Sequence, residues 1–222
     1  MRGLYAIVDV DAWQVAGVDL LADGTLEDVA RALLAVEPAA LQLRHKRGSS
    51  RDVLAALRRL RGVVPGSVPL VANDRADLAR LAGADVVHVG QDDLAVDDVR
   101  RVAPEVRVGL STHDTAQLAA AVAGPVRPDY LAFGPVFRTT SKERPDPTVG
   151  LVGVTGAARV AREAGLPLVA IGGIDLASVP ALIEAGVACA AVISALVVAR
   201  EGRPSLPEIE ARARALHQAL GR

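Results

Sequence analysis

The chain contains one cysteine, Cys189, set in an apolar run, so a disulfide framework and any cysteine-based metal spacing are excluded. A buried structural role is the reading that remains for it. Aromatic residues are scarce, two Phe, two Tyr and one Trp in 222 residues. Valine, leucine, isoleucine and alanine must therefore fill the core, and a hydrophobic share of 51% is enough for a sizeable one. Long apolar stretches are missing as well. The longest uncharged one, Ala185–Ala199, falls short of the roughly 20 residues that span a bilayer. Near the N-terminus the apolar stretch Leu4–Val8 meets Asp9 at once, which is not the plan of a signal peptide. An excess of either charge is also lacking, with 25 basic against 26 acidic residues. That balance leaves no footprint for nucleic acid or an anionic membrane. These absences lead to the expectation of a cytoplasmic protein that acts on small molecules, and they leave a homo-oligomer open.

Two residue types are rare in a more pointed way. Asn73 is the sole asparagine, and only two of the 25 basic residues, Lys46 and Lys142, are lysine. Lysine is a compact, mobile cation, whereas arginine is a broad planar fork. Both lysines sit in polar clusters, Gln42-Leu43-Arg44-His45-Lys46 and Thr139-Thr140-Ser141-Lys142. A site that neutralises a phosphate oxygen at a loop tip calls for such a cation.

Short apolar runs alternate with helical patterns along the whole chain. Strands are expected at 4–8, 40–43, 70–72, 86–89, 106–110, 130–133, 168–171 and 190–193. Helices are expected near 25–36, 51–60, 76–81, 97–103, 114–123, 154–164, 176–185 and 195–199, with an amphipathic C-terminal helix over 206–220. Alternation of this kind implies a parallel sheet buried on both faces. Eight units in this length predict an α/β fold, a single (β/α)8 TIM barrel over residues 1–222 closed off by the C-terminal helix. The alternative, a doubly wound sheet, lacks its G-x-G-x-x-G fingerprint after the first strand. Thr25 and Asp114 are read as helix caps, and Gly83, Gly165 and Gly186 as helix ends needing positive φ. The irregular segment 134–150 is long enough to suggest a task of its own.

Polar residues gather just after the strands, on what would be one rim of the barrel, where barrel enzymes carry their sites. Asp74 and Asp93 follow adjacent strands and can converge on one hard cation, the usual arrangement for magnesium with a substrate phosphate. Arg44, Lys46 and Lys142 supply cationic donors, and Gln42, Asn73 and Ser111 neutral ones, a set suited to a departing diphosphate. Gly172-Gly173 and Ser194 follow strands seven and eight, where barrels bind phosphate through backbone N–H groups. Two anionic regions imply two phosphorylated substrates. His88, inside a strand, reads as a hydrogen-bonded core histidine, and His217 as a surface residue.

These motifs resemble the thiamine-phosphate synthase family, in family order and over nearly the whole chain. The carriers are Gln42–Lys46, Asn73-Asp74-Arg75, Val87–Asp93, Gly109–His113, Gly134–Phe137 with Thr139–Lys142, Ala170–Ile174 and Val192–Ala195. The resemblance implies a barrel that joins an aminopyrimidine methyl diphosphate to a thiazole phosphate, giving thiamine phosphate and diphosphate by a dissociative substitution. It implies that Gln42, Arg44, Lys46 and Asn73 bind the pyrimidine diphosphate, with Ser111 and Lys142 on the diphosphate itself. It further implies Mg²⁺ on Asp74 and Asp93, and a thiazole phosphate held by Thr139, Thr140, Ser141, Gly173, Ile193 and Ser194. Two positions depart from the family pattern: His45 stands where an acidic residue is frequent, and Ser141 where threonine is usual. Two rival readings exist. A related thiazole tautomerase would carry a catalytic histidine where this chain has Pro135. A non-catalytic phosphate-binding barrel would have little need for paired carboxylates.

Overall fold

The computed structural model describes residues 1–139 and 146–221. Eight parallel strands close in chain order into one barrel: β1 (Gly3–Asp9), β2 (Ala40–Arg44), β3 (Leu70–Asn73), β4 (Val86–Val89), β5 (Arg107–Thr112), β6 (Tyr130–Phe133), β7 (Leu168–Ile171) and β8 (Cys189–Val192). The ring shuts where β8 pairs with β1, Leu4 opposite Ala190. Helices α1 (Val10–Val15), α2 (Thr25–Leu34), α3 (Ser50–Arg61), α4 (Ala76–Ala82), α5 (Val96–Val102), α6 (Thr115–Ala123), α7 (Gly150–Glu163) and α8 (Val179–Glu184) lie between and around the strands. After β8 come a 3-10 turn (Ser194–Leu196), a short antiparallel pair β9 (Ala199–Arg200) and β10 (Arg203–Pro204), and α9 (Leu206–Ala219).

Strand alternation divides the apolar residues into two separate cores. Leu4, Ala6 and Val8 of β1 face outward into the layer between barrel and helices, while Tyr5 and Ile7 face the barrel interior. Most of the other strands divide in the same way, which is why they read as largely apolar runs. The inner core includes Tyr5, Val71, Val86, Tyr130, Val169 and Cys189. It is small and capped on the C-terminal side by polar side chains. The outer core absorbs one face of each helix, including Ile209, Ala213 and Leu216 of α9, which packs on α2 and β1.

Local signals set the helix boundaries. Asp114 caps α6 by accepting from the Gln117 N–H at 2.8 Å, and Ser49 caps α3 by accepting from Asp52 at 3.2 Å. Gly83, Gly165 and Gly186 have φ of 67°, 68° and 85°, as their places after helices require. Thr25, however, is the first residue of α2 and Gly24 is its N-cap. The helix expected over 195–199 is replaced by the 3-10 turn and β9, where the β-branched pair Val197-Val198 favours extended backbone. His217 is half-buried rather than at the surface. No described helix is long and apolar enough to cross a membrane.

Candidate active site

The parity that sends Tyr5 and Ile7 inward also sends Asp9, Gln42, Arg44, Asn73, His88 and Ser111 inward, at or near the C-terminal ends of β1 to β5. Pairing in register places Ile7 beside Gln42, Asp9 beside Arg44, and Asn73 beside His88. Gln42, Arg44, Asn73 and Ser111 thus share one rim, and Lys46, Asp74 and Asp93 extend it on the loops that follow.

Two aspartates organise the β2 end. Asp9, 1% exposed, accepts from an Arg44 guanidinium N–H at 2.6 Å. Its other oxygen accepts from the N–H groups of Asp11 and Ala12 and so caps α1. One carboxylate therefore aims the arginine and starts the helix. Asp11 binds the His45 ring at 3.1 Å and accepts the backbone N–H of Lys46 at 2.8 Å. His45 is turned toward Asp11, between the two cations of the motif, with its side chain only 6% exposed.

Lys46 reaches across to Asp74, Nζ to Oδ2 at 2.5 Å. Asp74 sits at a positive φ of 62°, directly after β3, and its N–H donates to the His88 carbonyl. Asp93 is held by the Gly90 N–H at 2.7 Å and lies close enough to Asp74 for the two carboxyls to act on each other. Burial pushes the Asp74 carboxyl up to about 6; Lys46 opposes that rise and the charge of Asp93 adds to it. Two carboxylates held together, one of them reluctant to ionise, form a donor set that fits a hard dication. Among the described residues no group of three or more His, Cys, Asp or Glu could hold a metal. The pair would leave the remaining coordination places to water and substrate oxygens.

Beneath the rim a hydrogen-bonded chain crosses the barrel. Gln42 Nε2 donates to Asn73 Oδ1 at 2.7 Å, and Tyr5 Oη donates to Gln42 Oε1 at 2.7 Å. The two tyrosine hydroxyls meet at 3.0 Å, Tyr130 meets His88 Nδ1 at 2.8 Å, and His88 Nε2 meets Ser111 Oγ at 2.9 Å. The His88 and Tyr130 rings stack with centroids 5.5 Å apart. Gly109 makes room for this, since a Cβ there would overlap the phenol end of Tyr130.

On the far side, β6 and β7 dovetail beyond their ends. The N–H groups of Val136 and Phe137 donate to the carbonyls of Ile171 and Gly172 at 2.9 and 3.0 Å. Gly172 and Gly173 have φ of 101° and 66°. A Cβ on Gly172 would strike Pro135, and one on Gly173 the carbonyl of Arg138. The segment after Phe137 leaves and returns through a neck, with Val149 N–H on the Pro135 carbonyl at 2.8 Å and Gly150 N–H on that of Val136 at 3.2 Å. Thr139 lies on this segment and is half-buried. Thr140, Ser141 and Lys142 lie outside the described residues. Ile193 is half-buried, and Ser194 is exposed at the start of the 3-10 turn, whose first N–H groups have no partner within the turn. His113 donates from Nδ1 to the Gly134 carbonyl at 2.6 Å, which braces the start of the segment.

Sequence reasoning missed Asp9, Asp11, Tyr5 and Tyr130. Asp9 had one usable signal, a carboxylate directly after an apolar strand. The tyrosines had none, because a buried phenol and a packing aromatic read alike.

Comparison with known proteins identifies the family to which the chain is similar. Residues 12–196 match the model of the family described as thiamine monophosphate synthase. The chain is 45% identical over 203 residues to the thiamine-phosphate synthase of Koribacter versatilis (strain Ellin345), covering 91% of this chain and 92% of that one. It is 40% identical over 222 residues to the thiamine-phosphate synthase of Anaeromyxobacter dehalogenans (strain 2CP-C), covering 100% and 92%. Among solved structures, the thiamine phosphate pyrophosphorylase from Pyrococcus furiosus superposes with a TM-score of 0.77 at 25% identity, covering 99% of this chain and 95% of that one.

Proposed function

The chain belongs to the thiamine monophosphate synthase family, and from that premise we propose how its rim divides the labour of the reaction. It is an enzyme of the transferase class whose product is thiamine phosphate. Its substrates are an aminopyrimidine methyl diphosphate and a thiazole phosphate. A cytoplasmic location goes with this reading.

Gln42, Arg44, Lys46 and Asn73 bind the pyrimidine diphosphate, and Asp74 and Asp93 hold Mg²⁺. Once bound, that ion supplies charge neutralisation to the diphosphate oxygens. The C–O bond breaks with its electron pair passing to the diphosphate, and the aminopyrimidine spreads the resulting positive charge. Arg44 and Lys46 stabilise the negative charge that develops on the leaving group, and Asp9 holds Arg44 aimed at it at 2.6 Å. The thiazole nitrogen then gives its lone pair to the same carbon. Thr139, Gly173, Ile193 and Ser194 hold the thiazole phosphate across the rim. Thr140, Ser141 and Lys142, which lie outside the described residues, complete the set by their chemistry, Lys142 on the diphosphate. The protein aligns two bound substrates and forms no covalent link to either.

The observation that carries this reading is the meeting of Lys46, Asp74 and Asp93 at one point of the rim. The test is incubation of the purified protein with both substrates and Mg²⁺, scored as thiamine phosphate, with an EDTA control. Magnesium-dependent product is expected. Product at an equal rate in EDTA would remove the metal from the reading, and no product from folded protein would remove the reading.

A further inference from the structure

We propose that Tyr5, Tyr130 and His88 are positioning residues that link the two ends of the rim through a hydrogen-bond chain of a single polarity. In that chain Ser111 offers the substrate a lone pair, while Asn73 offers it N–H groups. The part of this that concerns substrate rests on the reading above; the polarity does not.

The polarity follows from counting protons. Gln42 Oε1 is a carbonyl oxygen and only accepts, so the one proton of Tyr5 Oη is committed to it at 2.7 Å. The 3.0 Å contact between the hydroxyls must then use the proton of Tyr130. With that proton spent, the Tyr130 oxygen can only accept, so His88 meets it as Nδ1–H at 2.8 Å. A neutral imidazole with hydrogen on Nδ1 is bare at Nε2, and that nitrogen accepts the Ser111 hydroxyl proton at 2.9 Å. Ser111 is left with lone pairs toward the rim. At the other end, Gln42 Nε2 occupies Asn73 Oδ1 at 2.7 Å, so the Asn73 amide N–H groups are what it presents outward.

The middle of the chain is closed to water and its two ends are not. Tyr5 and Tyr130 are 1% and 3% exposed, whereas Asn73 and Ser111 are half-buried at the rim. Burial pushes both phenols above their ordinary range, so both keep the protons the count requires. The reverse polarity would turn the Asn73 carbonyl oxygen toward the rim, beside the carboxylate that follows it at Asp74. That arrangement is electrostatically unfavourable. A lone pair at Ser111 repels diphosphate oxygens and suits an N–H donor, which the aminopyrimidine carries as its exocyclic amine. Ser111 thus reads the amine, and Asn73 the anion.

The test begins with the ¹⁵N-labelled full chain without substrate. Long-range ¹H–¹⁵N spectra of the four histidine rings, with His88 assigned by its loss in His88→Gln, report the tautomer. Neutral Nδ1–H is expected; Nε2–H or a doubly protonated ring would overturn the polarity. Tyr130→Phe keeps the ring and removes the link, so His88 is expected to lose its single tautomer; an unchanged spectrum would overturn the positioning role. Ser111→Ala is expected to raise KM for the pyrimidine diphosphate about tenfold, the worth of one lost hydrogen bond. It should leave inhibition by inorganic diphosphate within about twofold. An equal weakening of diphosphate inhibition would put Ser111 on the leaving group and overturn the assignment to the amine. Because the tautomer is read without substrate, its failure leaves the synthase reading intact. Failure to form thiamine phosphate leaves the tautomer result standing.

Discussion

Replacing Asp74 with asparagine should make the metal-free protein more stable while disabling it as a catalyst. The Asp74 side chain is 19% exposed, and its carboxyl is pushed from 3.8 up to about 6, chiefly by burial, with Lys46 opposing and Asp93 adding. An acid whose pKa is higher folded than unfolded binds more protons when folded. Its ionised form therefore costs stability fully above the folded value, and the cost fades as pH falls from about 6 toward 3.8. At about 1.4 kcal/mol per unit, the cost is about 3 kcal/mol at pH 8 and roughly half that at pH 5. Asparagine removes the charge, matches the shape and tolerates the φ of 62°. The net rise already contains the opposing Lys46 pair, so a gain of up to about 3 kcal/mol is expected at pH 8. Urea unfolding in EDTA at pH 8 and pH 5 measures it. A variant no more stable than wild type at pH 8, or a gain that does not shrink toward pH 5, would refute the reasoning. Added Mg²⁺ should then stabilise wild type and not the variant, because a ligand that binds only the folded state stabilises by mass action.

Three further outcomes follow from the same geometry. Asp93→Asn is expected to lower turnover and raise the Mg²⁺ concentration needed for half-maximal rate, and a wild-type metal titration would remove Asp93 from the metal site. Asp9→Asn keeps an oxygen for α1 but strips the charge from Arg44, at a cost of about 3 kcal/mol. Asp9→Ala should lose about 1 kcal/mol more with the helix cap, and equal unfolding midpoints for the two would show that the cap contributes nothing. Gly173→Ala combines a φ of 66° with a collision against the Arg138 carbonyl. It should cost more than about 1 kcal/mol and weaken thiazole phosphate binding by calorimetry; unchanged affinity would take Gly173 out of that site.

The barrel was legible because strands buried on both faces must be largely apolar, and eight such runs alternate with helical patterns. The rim was legible because period two decides which side chains point inward once the strand ends are known. β5 shows the limit: its expected end at Leu110 left Ser111 in a loop, whereas the strand runs to Thr112 and carries Ser111 on its inner face. Contacts across the barrel were not legible. Tyr5 meets Tyr130 only because closure of β1 on β8 sets the stagger of all eight strands, a property of the ring rather than of any segment. Asp9 and Asp11 were overlooked for a related reason, as their work is to hold Arg44 and His45, which lie more than thirty positions away. The helix at 195–199 failed because an apolar run that short carries no period to separate helix from strand.

The neck beneath residues 138–148 has a consequence for how this enzyme could change. Its two sides are tied to each other at Pro135–Val149 and Val136–Gly150, and one side is stitched to β7. The barrel therefore holds these two ends at a fixed separation. Lengthening a closed loop carries an entropy cost that grows only as the logarithm of its length. An insertion between the two ends should therefore cost the barrel little stability.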